Sequence, residues 1–201
     1  MNKNILDFYM IANKLKDIVR TGWIELGVER DRVESVAEHV YGTLVLAIAI
    51  DSEYKLDLDL LKVFKMLIIK ELEKVNLNNF TPREYPTKEE KKRLALETIS
   101  NTLSSLSSKD ELLEIYEEYS NKETKEAIFT YKLSKIESDI QVKIYDLDGC
   151  LSIEKAKEDV SYYDEPVEIK NASDGWIQFN RKFYDDELFS SLSNDIENYN
   201  D

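Results

Sequence analysis

Apolar side chains recur along most of this chain at intervals of three and four residues, the period of a helix with one face on a core. Ile5, Phe8, Ile11, Leu15 and Ile18 share one face and predict a first helix. Gly22, in "RTGW" (Arg20 to Trp23), breaks that pattern. A second helix is predicted from near Glu34 through "SVAEHVYGTLVLAIAI" to about Ile50. It is apolar nearly all round, which predicts a place at the centre of the fold. A third is predicted from Leu58 to Val75 with Asp57 as its N-cap. A fourth is predicted from Pro86 to Leu106, where Thr87 and Glu90 have capping-box spacing and Lys88 is the first helical residue. "KDELLEIYEEYS" predicts a fifth helix capped by Ser108. "KETKEAIFTYKLSKIESDIQVKIYDLD" predicts a long sixth that stops at Gly149. Beyond Cys150 the pattern weakens. "EDVSYYDEPVEIKNASDG" reads as loop, and "DDELFSSLSNDIENY" as a last short helix.

No heptad is sustained, and five glycines with three prolines are too few for an all-β chain of tight turns. The expected fold is all-α: a globular helical bundle over residues 1–150, with an irregular C-terminal extension over 151–201 that packs on it or trails from it. The whole is 201 residues, a size that suits one domain. Composition narrows the partners. A net charge of −14 argues against a nucleic-acid backbone or an anionic membrane. Cys150 is the sole cysteine, which excludes an intramolecular disulfide and a cysteine-rich zinc site. The N-terminus has no long apolar core of a signal peptide, and no apolar run is long enough to span a bilayer; a cytoplasmic location is expected.

The sole histidine, His39, falls on the most apolar predicted helix. On composition alone it reads as a packed, hydrogen-bonded core residue. One histidine cannot build a multi-histidine metal site, but it can be one ligand among carboxylates.

The order of motifs adds a second reading. "RTGW", then "ESVAEH", then an apolar helix followed by "NNFTP", then a long helix carrying "LSKIESDIQVKIYD", resembles the HD-domain superfamily, and more narrowly its 5′-deoxynucleotidase-like phosphohydrolases. The resemblance covers roughly residues 5–150. The later "GCLS" and "WIQFNRKFYDDE" are similar to a bacterial subgroup of that branch. It implies an HD-like helical bundle and a divalent-metal site with four protein ligands. Those four are the histidine that ends "ESVAEH", an adjacent His-Asp pair closing the third helix, and an aspartate on the long helix. In this chain the four positions read His39, Lys70, Glu71 and Ser134, with Glu137 at the pattern's following glutamate. Lys74 stands where the family tends to have an acid, and Asn78-Asn79 stand where Gly-Asp usually precedes "TP". The resemblance also makes Arg20 the phosphate-binding arginine, Trp23 the aromatic beside base or sugar, and Glu34 an organiser of the pocket entrance. It implies a homodimer formed through helices.

Those replacements matter physically. A lysine ammonium has three donors and no lone pair, so Lys70 repels a divalent cation. Ser134 keeps an oxygen but no charge. Glu137, one turn from Ser134, is the credible substitute; Glu38 points away from His39's direction, and Asp139 lies well round the helix. The leading expectation is an HD-domain protein without hydrolytic activity, with no cofactor, binding a nucleotide or another phosphate-bearing small molecule. The alternative is an active phosphohydrolase with an altered manganese, cobalt or magnesium site on His39 and Glu71. A third is a structural or protein-interaction module. Lys70 and Lys74, at i and i+4, are expected on one helix face, with Lys70 replacing the metal's charge by pairing with Glu71 or Glu137. The plain counter-expectations are that both lysines face solvent, that Trp23 is a core residue, and that Arg20 pairs on the surface with Asp17 or Glu25.

Overall fold

A computed structural model describes residues 2–77, 87–159 and 168–200. The fold is all-α: among the described residues there is no strand, only an antiparallel bridge between Val19 and Ser35. The helices are α1 (Asn2–Ala12), α2 (Thr21–Leu26), α3 (Val36–Tyr54), α4 (Leu60–Ile69), α5 (Lys74–Leu77), α6 (Lys88–Thr102), α7 (Lys109–Asn121), α8 (Lys125–Leu147), α9 (Ile153–Asp159), α10 (Asp174–Asn180) and α11 (Glu187–Asn198).

The chain forms two compact units, Met1–Thr21 with Glu34–Tyr131, and Gly22–Val33 with Lys132–Asp201. In the first, the apolar face of the α4 stretch (Met66, Ile69, Leu72, Val75) meets Ala95, Ile99 and Leu103 of α6 and Ile115 and Tyr116 of α7. Leu15 and Val36 close the same cluster. In the second, Trp23, Val142, Tyr145 and Ile177 form the core. The Trp23 ring meets Tyr145 edge-on at 5.6 Å between centroids and lies 5.0 Å from Trp176. A Cβ on Gly22 would come within 3.1 Å of the Trp176 ring, so glycine there permits a close approach.

Local chemistry explains most element ends. Ser35 caps α3 in a full capping box with Glu38. Thr87 caps α6 by accepting from the Glu90 amide at 3.0 Å. Gly149 ends α8 at φ +68°, and the Cys150 amide donates back to the Tyr145 carbonyl at 2.8 Å.

Several expectations need correction. The first helix stops at Ala12 and continues as a tighter 3₁₀ turn, Asn13–Lys16, which carries Leu15 into the core. "RTGW" does not merely break a helix; it opens α2. Asp59, not Asp57, caps α4, accepting from the Lys62 amide at 3.1 Å, while Asp57 pairs with Lys125 at 2.7 Å. Ser108 holds the N-cap position of α7 without a side-chain cap bond. The predicted loop, residues 158–175, overlaps only the last two residues of α9 and the first two of α10, while α9 itself begins before it at Ile153. α3 is not buried all round: Val36, His39, Thr43, Ala47 and Ile50 face the interior, and the opposite face is open.

Within the second unit the C-terminal extension is fastened to α8 by a polar stripe. Lys132 pairs with Asp185 and Asp186. Asp139 accepts from Asn180 Nδ2 at 2.6 Å and from the Tyr184 hydroxyl at 2.7 Å. Lys143 donates to the Glu197 carbonyl at 3.0 Å, and Asp146 accepts from the Ser173 hydroxyl at 2.7 Å. Positions 132, 139, 143 and 146 share one helix face by their spacing.

Asp139 is fully buried. Burial raises its carboxyl from the ordinary 3.8 to about 7, against the opposing pull of Asn180, Tyr184, Lys135 and Arg181. The folded-state value lies above the unfolded one. The group therefore favours the fold below about pH 4, and that contribution is lost as pH rises through about 7. Asp139→Asn mimics the protonated acid. Its unfolding free energy should gain on that of the natural chain by about 2–3 kcal/mol between pH 5 and pH 8, measured by urea denaturation. Parallel pH profiles for the two proteins would contradict this.

Candidate functional site

The sequence-predicted positions in the first unit are assembled by two pieces of backbone. The first is the crossing of residues 18–20 with 34–36. The Arg20 amide donates to the Glu34 carbonyl at 3.1 Å, and the Val36 amide donates to the Ile18 carbonyl at 2.8 Å. This crossing sets the Arg20 guanidinium 2.8 Å from Glu34 Oε2. Arg20 thus pairs with Glu34, not with Asp17 or Glu25. Arg20 then leads into α2, and Glu34 into α3, which carries His39 just past its cap.

The second piece is the end of α4. Helical hydrogen bonding tightens at Lys70 into a 3₁₀ turn, Lys70–Glu73, before α5 resumes. A 3₁₀ turn advances about 120° per residue where an α-helix advances 100°, so i and i+4 lose their shared face across it. Lys70 is accordingly buried, 7% exposed, and its ammonium pairs with Glu71 Oε1. Lys74 is partly exposed and reaches Glu73 at 3.4 Å. The counter-expectation that both lysines face solvent fails for Lys70, which is buried, while Lys74 is partly exposed and also acts on Glu71.

The oxygen of Glu71 that Lys70 holds also lies 3.7 Å from His39 Nε2. His39 is 3% exposed, and its ligand atom lies within 4.8 Å of one from Glu34. Burial pushes the Glu71 carboxyl up, but Lys70, His39 and Lys74 together overcome it and hold Glu71 well below the usual carboxylate range. Glu71 is therefore an anion shared between a lysine and a histidine inside a largely dry site.

The remaining predicted positions behave differently. Trp23, 1% exposed, is a core residue of the second unit. Ser134 and Glu137 lie on the α8 part of that unit; the Ser134 carbonyl accepts from the Ser138 hydroxyl at 2.9 Å, and Glu137 is buried. Asn79 lies outside the described residues. Two tyrosines of α7 escaped the sequence reading. Burial and Glu73 push up the phenol of Tyr116, whose hydroxyl is 3.5 Å from Glu73. Burial, then Glu71 and Glu73, push Tyr119 well up. Their spacing in "EIYEEYS" matches an ordinary amphipathic helix, so nothing but proximity could single them out.

Comparison with known proteins identifies the lineage. A family model described as HD domain matches residues 12–173. The chain belongs to the HD-domain family. It is similar to an HD-domain relative from Dictyostelium discoideum named 5′-deoxynucleotidase HDDC2, 34% identical over 151 residues, covering 71% of this chain and 78% of that protein. A human protein of the same name is 28% identical over 146 residues, covering 72% of this chain and 69% of the relative. Among solved structures, a conserved hypothetical protein from Pyrococcus furiosus superposes with a TM-score of 0.66 at 23% identity, covering 96% of this chain and 99% of that one. That likeness supports the all-α fold. Among the described residues no helix is long and apolar enough to cross a membrane.

The buried pair yields a stability test. Lys70→Met leaves the Glu71 charge without its lysine and should cost about 3–5 kcal/mol at pH 7. The double variant Lys70→Met/Glu71→Gln should recover much of that loss. The folded-state value of Glu71 lies below its unfolded one, so its contribution is present above about pH 4.5 and is lost as pH falls through the folded value. The cost of Glu71→Gln alone should therefore shrink from pH 7 to pH 3. Chemical denaturation of the three variants checks this; a Lys70→Met cost within about 0.5 kcal/mol of zero would remove the pair from the account.

Proposed function

We propose that this chain is a metal-independent HD-domain protein that binds a nucleoside 5′-monophosphate, or a similar phosphate-bearing small molecule, without hydrolysing it. One observation carries the reading: the buried Lys70 ammonium holds the same Glu71 oxygen that lies 3.7 Å from His39 Nε2. Metal ligation needs free lone pairs. Here the carboxylate next to the histidine already has a cation on it, and that cation cannot be a ligand. A divalent ion bridging His39 and Glu71 would sit within a few ångströms of the ammonium, in a buried site where such repulsion is poorly screened. The residues present therefore fit a catalytic divalent ion poorly. They fit a site whose positive charge is supplied by the protein itself.

The ligand class follows from the relatives, whose names place their chemistry on 5′-deoxynucleotides. Arg20 and Lys74, both partly exposed, are the cations offered to a phosphate. The loss of hydrolysis follows from the chemistry, since activation of water at neutral pH in such a site depends on the metal. Ser134, in place of an aspartate, supports the same conclusion.

A second reading has its own support. Glu34 and His39 present ligand atoms within 4.8 Å of each other, and Glu71 adds a third donor should Lys70 swing away. That set would make an altered metal site, with phosphohydrolase activity retained.

Two measurements separate the readings. Deoxynucleoside monophosphates should raise the melting temperature equally with EDTA and with manganese or cobalt, and phosphate release should stay at background. The triple variant Lys70→His/Glu71→Asp/Ser134→Asp should then gain metal-dependent release, about a hundredfold or more above background. Release by the natural chain that vanishes in His39→Ala would establish the second reading instead.

A further inference from the structure

The second unit ends in a cavity whose walls carry hydrogen-bonding groups that the protein itself leaves unspent. α10 tightens after Asn180 into a 3₁₀ turn, Arg181–Phe183, and the chain turns back through Tyr184 into α11. A cavity of about 250 Å³ lies there, lined by Arg181, Tyr184, Ser190 and Asn194. Liquid water takes about 30 Å³ per molecule, so one bridging water does not fill it. Ser190, Ser193, Asn194 and Glu197 follow one another at helical spacing and make one polar stripe of α11. Arg181 bonds through Nη2, to Asn194 Oδ1 at 2.9 Å and to Glu197. Arg181 Nε is buried without an acceptor, and so is the hydroxyl of Ser193, a residue with no exposed surface. With Oδ1 on Arg181, Asn194 still has two amide N–H groups to offer. Ser190 Oγ donates to the Tyr184 carbonyl at 3.1 Å and keeps its lone pairs. Buried polar groups nearly always have a partner, and one left without costs stability. The unspent groups are chiefly donors, so an acceptor from solution completes them.

We propose that this cavity binds a small neutral molecule of one ring with a carbonyl oxygen and an N–H, the chemistry of a cyclic amide. Size sets the upper bound, since the volume falls below the roughly 300–1,000 Å³ of pockets for drug-sized ligands. Charge sets the kind. The guanidinium in the lining is already paired with Glu197, whose other oxygen accepts from Gln178 Nε2 at 2.7 Å. Asp139 stands behind Tyr184 and accepts from its hydroxyl at 2.7 Å. A carboxylate or phosphate would meet a neutralised arginine with an acid close by, and leaving water for such a site is costly to an anion. A carbonyl brings lone pairs without charge, and suits the donors of Arg181 and Asn194. The ring N–H of a cyclic amide has Ser190 Oγ as its acceptor. The Tyr184 ring, stacked on Phe189 at 6.1 Å between centroids, gives a flat wall for the apolar part of such a ring. Because Tyr184 also holds Asp139 of α8, a molecule bound here tightens the grip of the extension on that helix.

The cavity is independent of the ligand reading above and is tested on the full chain with 2-pyrrolidone, a neutral five-membered cyclic amide, as the probe. The Arg181 Nε–H signal in a ¹⁵N NMR spectrum, identified by its absence in Arg181→Lys, should move to a plateau as 2-pyrrolidone is added. Sodium acetate at the same concentrations should leave it in place. Asn194 is exposed, so Asn194→Leu should keep the circular-dichroism spectrum of the natural chain while its affinity for 2-pyrrolidone falls at least tenfold. Ser190→Leu, which fills the cavity from α11, should lose the response as well; titration calorimetry follows both variants. No movement of the Arg181 signal with 2-pyrrolidone, a movement that acetate reproduces, or an undiminished response in either variant would each overturn the assignment.

Discussion

A carboxylate that leaves water for a protein interior must be given a cation or a proton. Glu71 follows from the former. It sits in the tight turn that ends α4, between Ile69 and Leu72, both of which are core residues. Burial opposes its charge, and Lys70, His39 and Lys74 beside it favour it. Because Lys70 is the adjacent residue, the neutralising charge is built into the same turn and needs no ion from solution. The 3₁₀ geometry makes this possible, since it folds Lys70 inward and leaves Lys74 partly exposed. The buried pair and the placement of the histidine beside it are consequences of that one constraint.

The second unit meets the same constraint in a different way. Among the described residues Asp139 forms no ion pair; it has an amide and a phenol donating to it, with Lys135 and Arg181 also favouring its charge. These hydrogen bonds, with the pull of Lys135 and Arg181, offset burial only partly, so its carboxyl rises toward neutrality. The two acids thus shift in opposite directions because one has an ammonium on it and the other does not. Lys132 and Asp139 flank Ser134 and Glu137 on the same helix, so the extension that grips α8 also holds the segment carrying those two positions.

Much of this was legible from residue order. All-α class, the α6 start at Thr87 and the α8 stop at Gly149 follow from local rules of capping and left-handed backbone. The membership in the HD-domain family was carried by "RTGW" and "ESVAEH", and the family match over residues 12–173 bears it out. Where local rules offered two answers, reading failed: Asp57 and Asp59 are both good caps, and in the structure Asp59 caps the helix while Asp57 pairs with Lys125. The all-apolar character of α3 was visible, but the inference that it lies at the centre was not correct, since one helix face can be saturated while the other stays open.

The sequence by itself determined which chemistry was present and which was missing. A lysine at position 70 cannot be a metal ligand as an ammonium in any fold, because it has no lone pair to give. It also determined that position 39 carries the one imidazole. What only the tertiary structure decided was direction. Whether Lys70 turns to solvent or to Glu71, whether Arg20 takes Asp17, Glu25 or Glu34, and whether Asp139 is spent or buried all depend on which segments cross. Those crossings are set by packing among residues far apart in the chain, and no local periodicity encodes them.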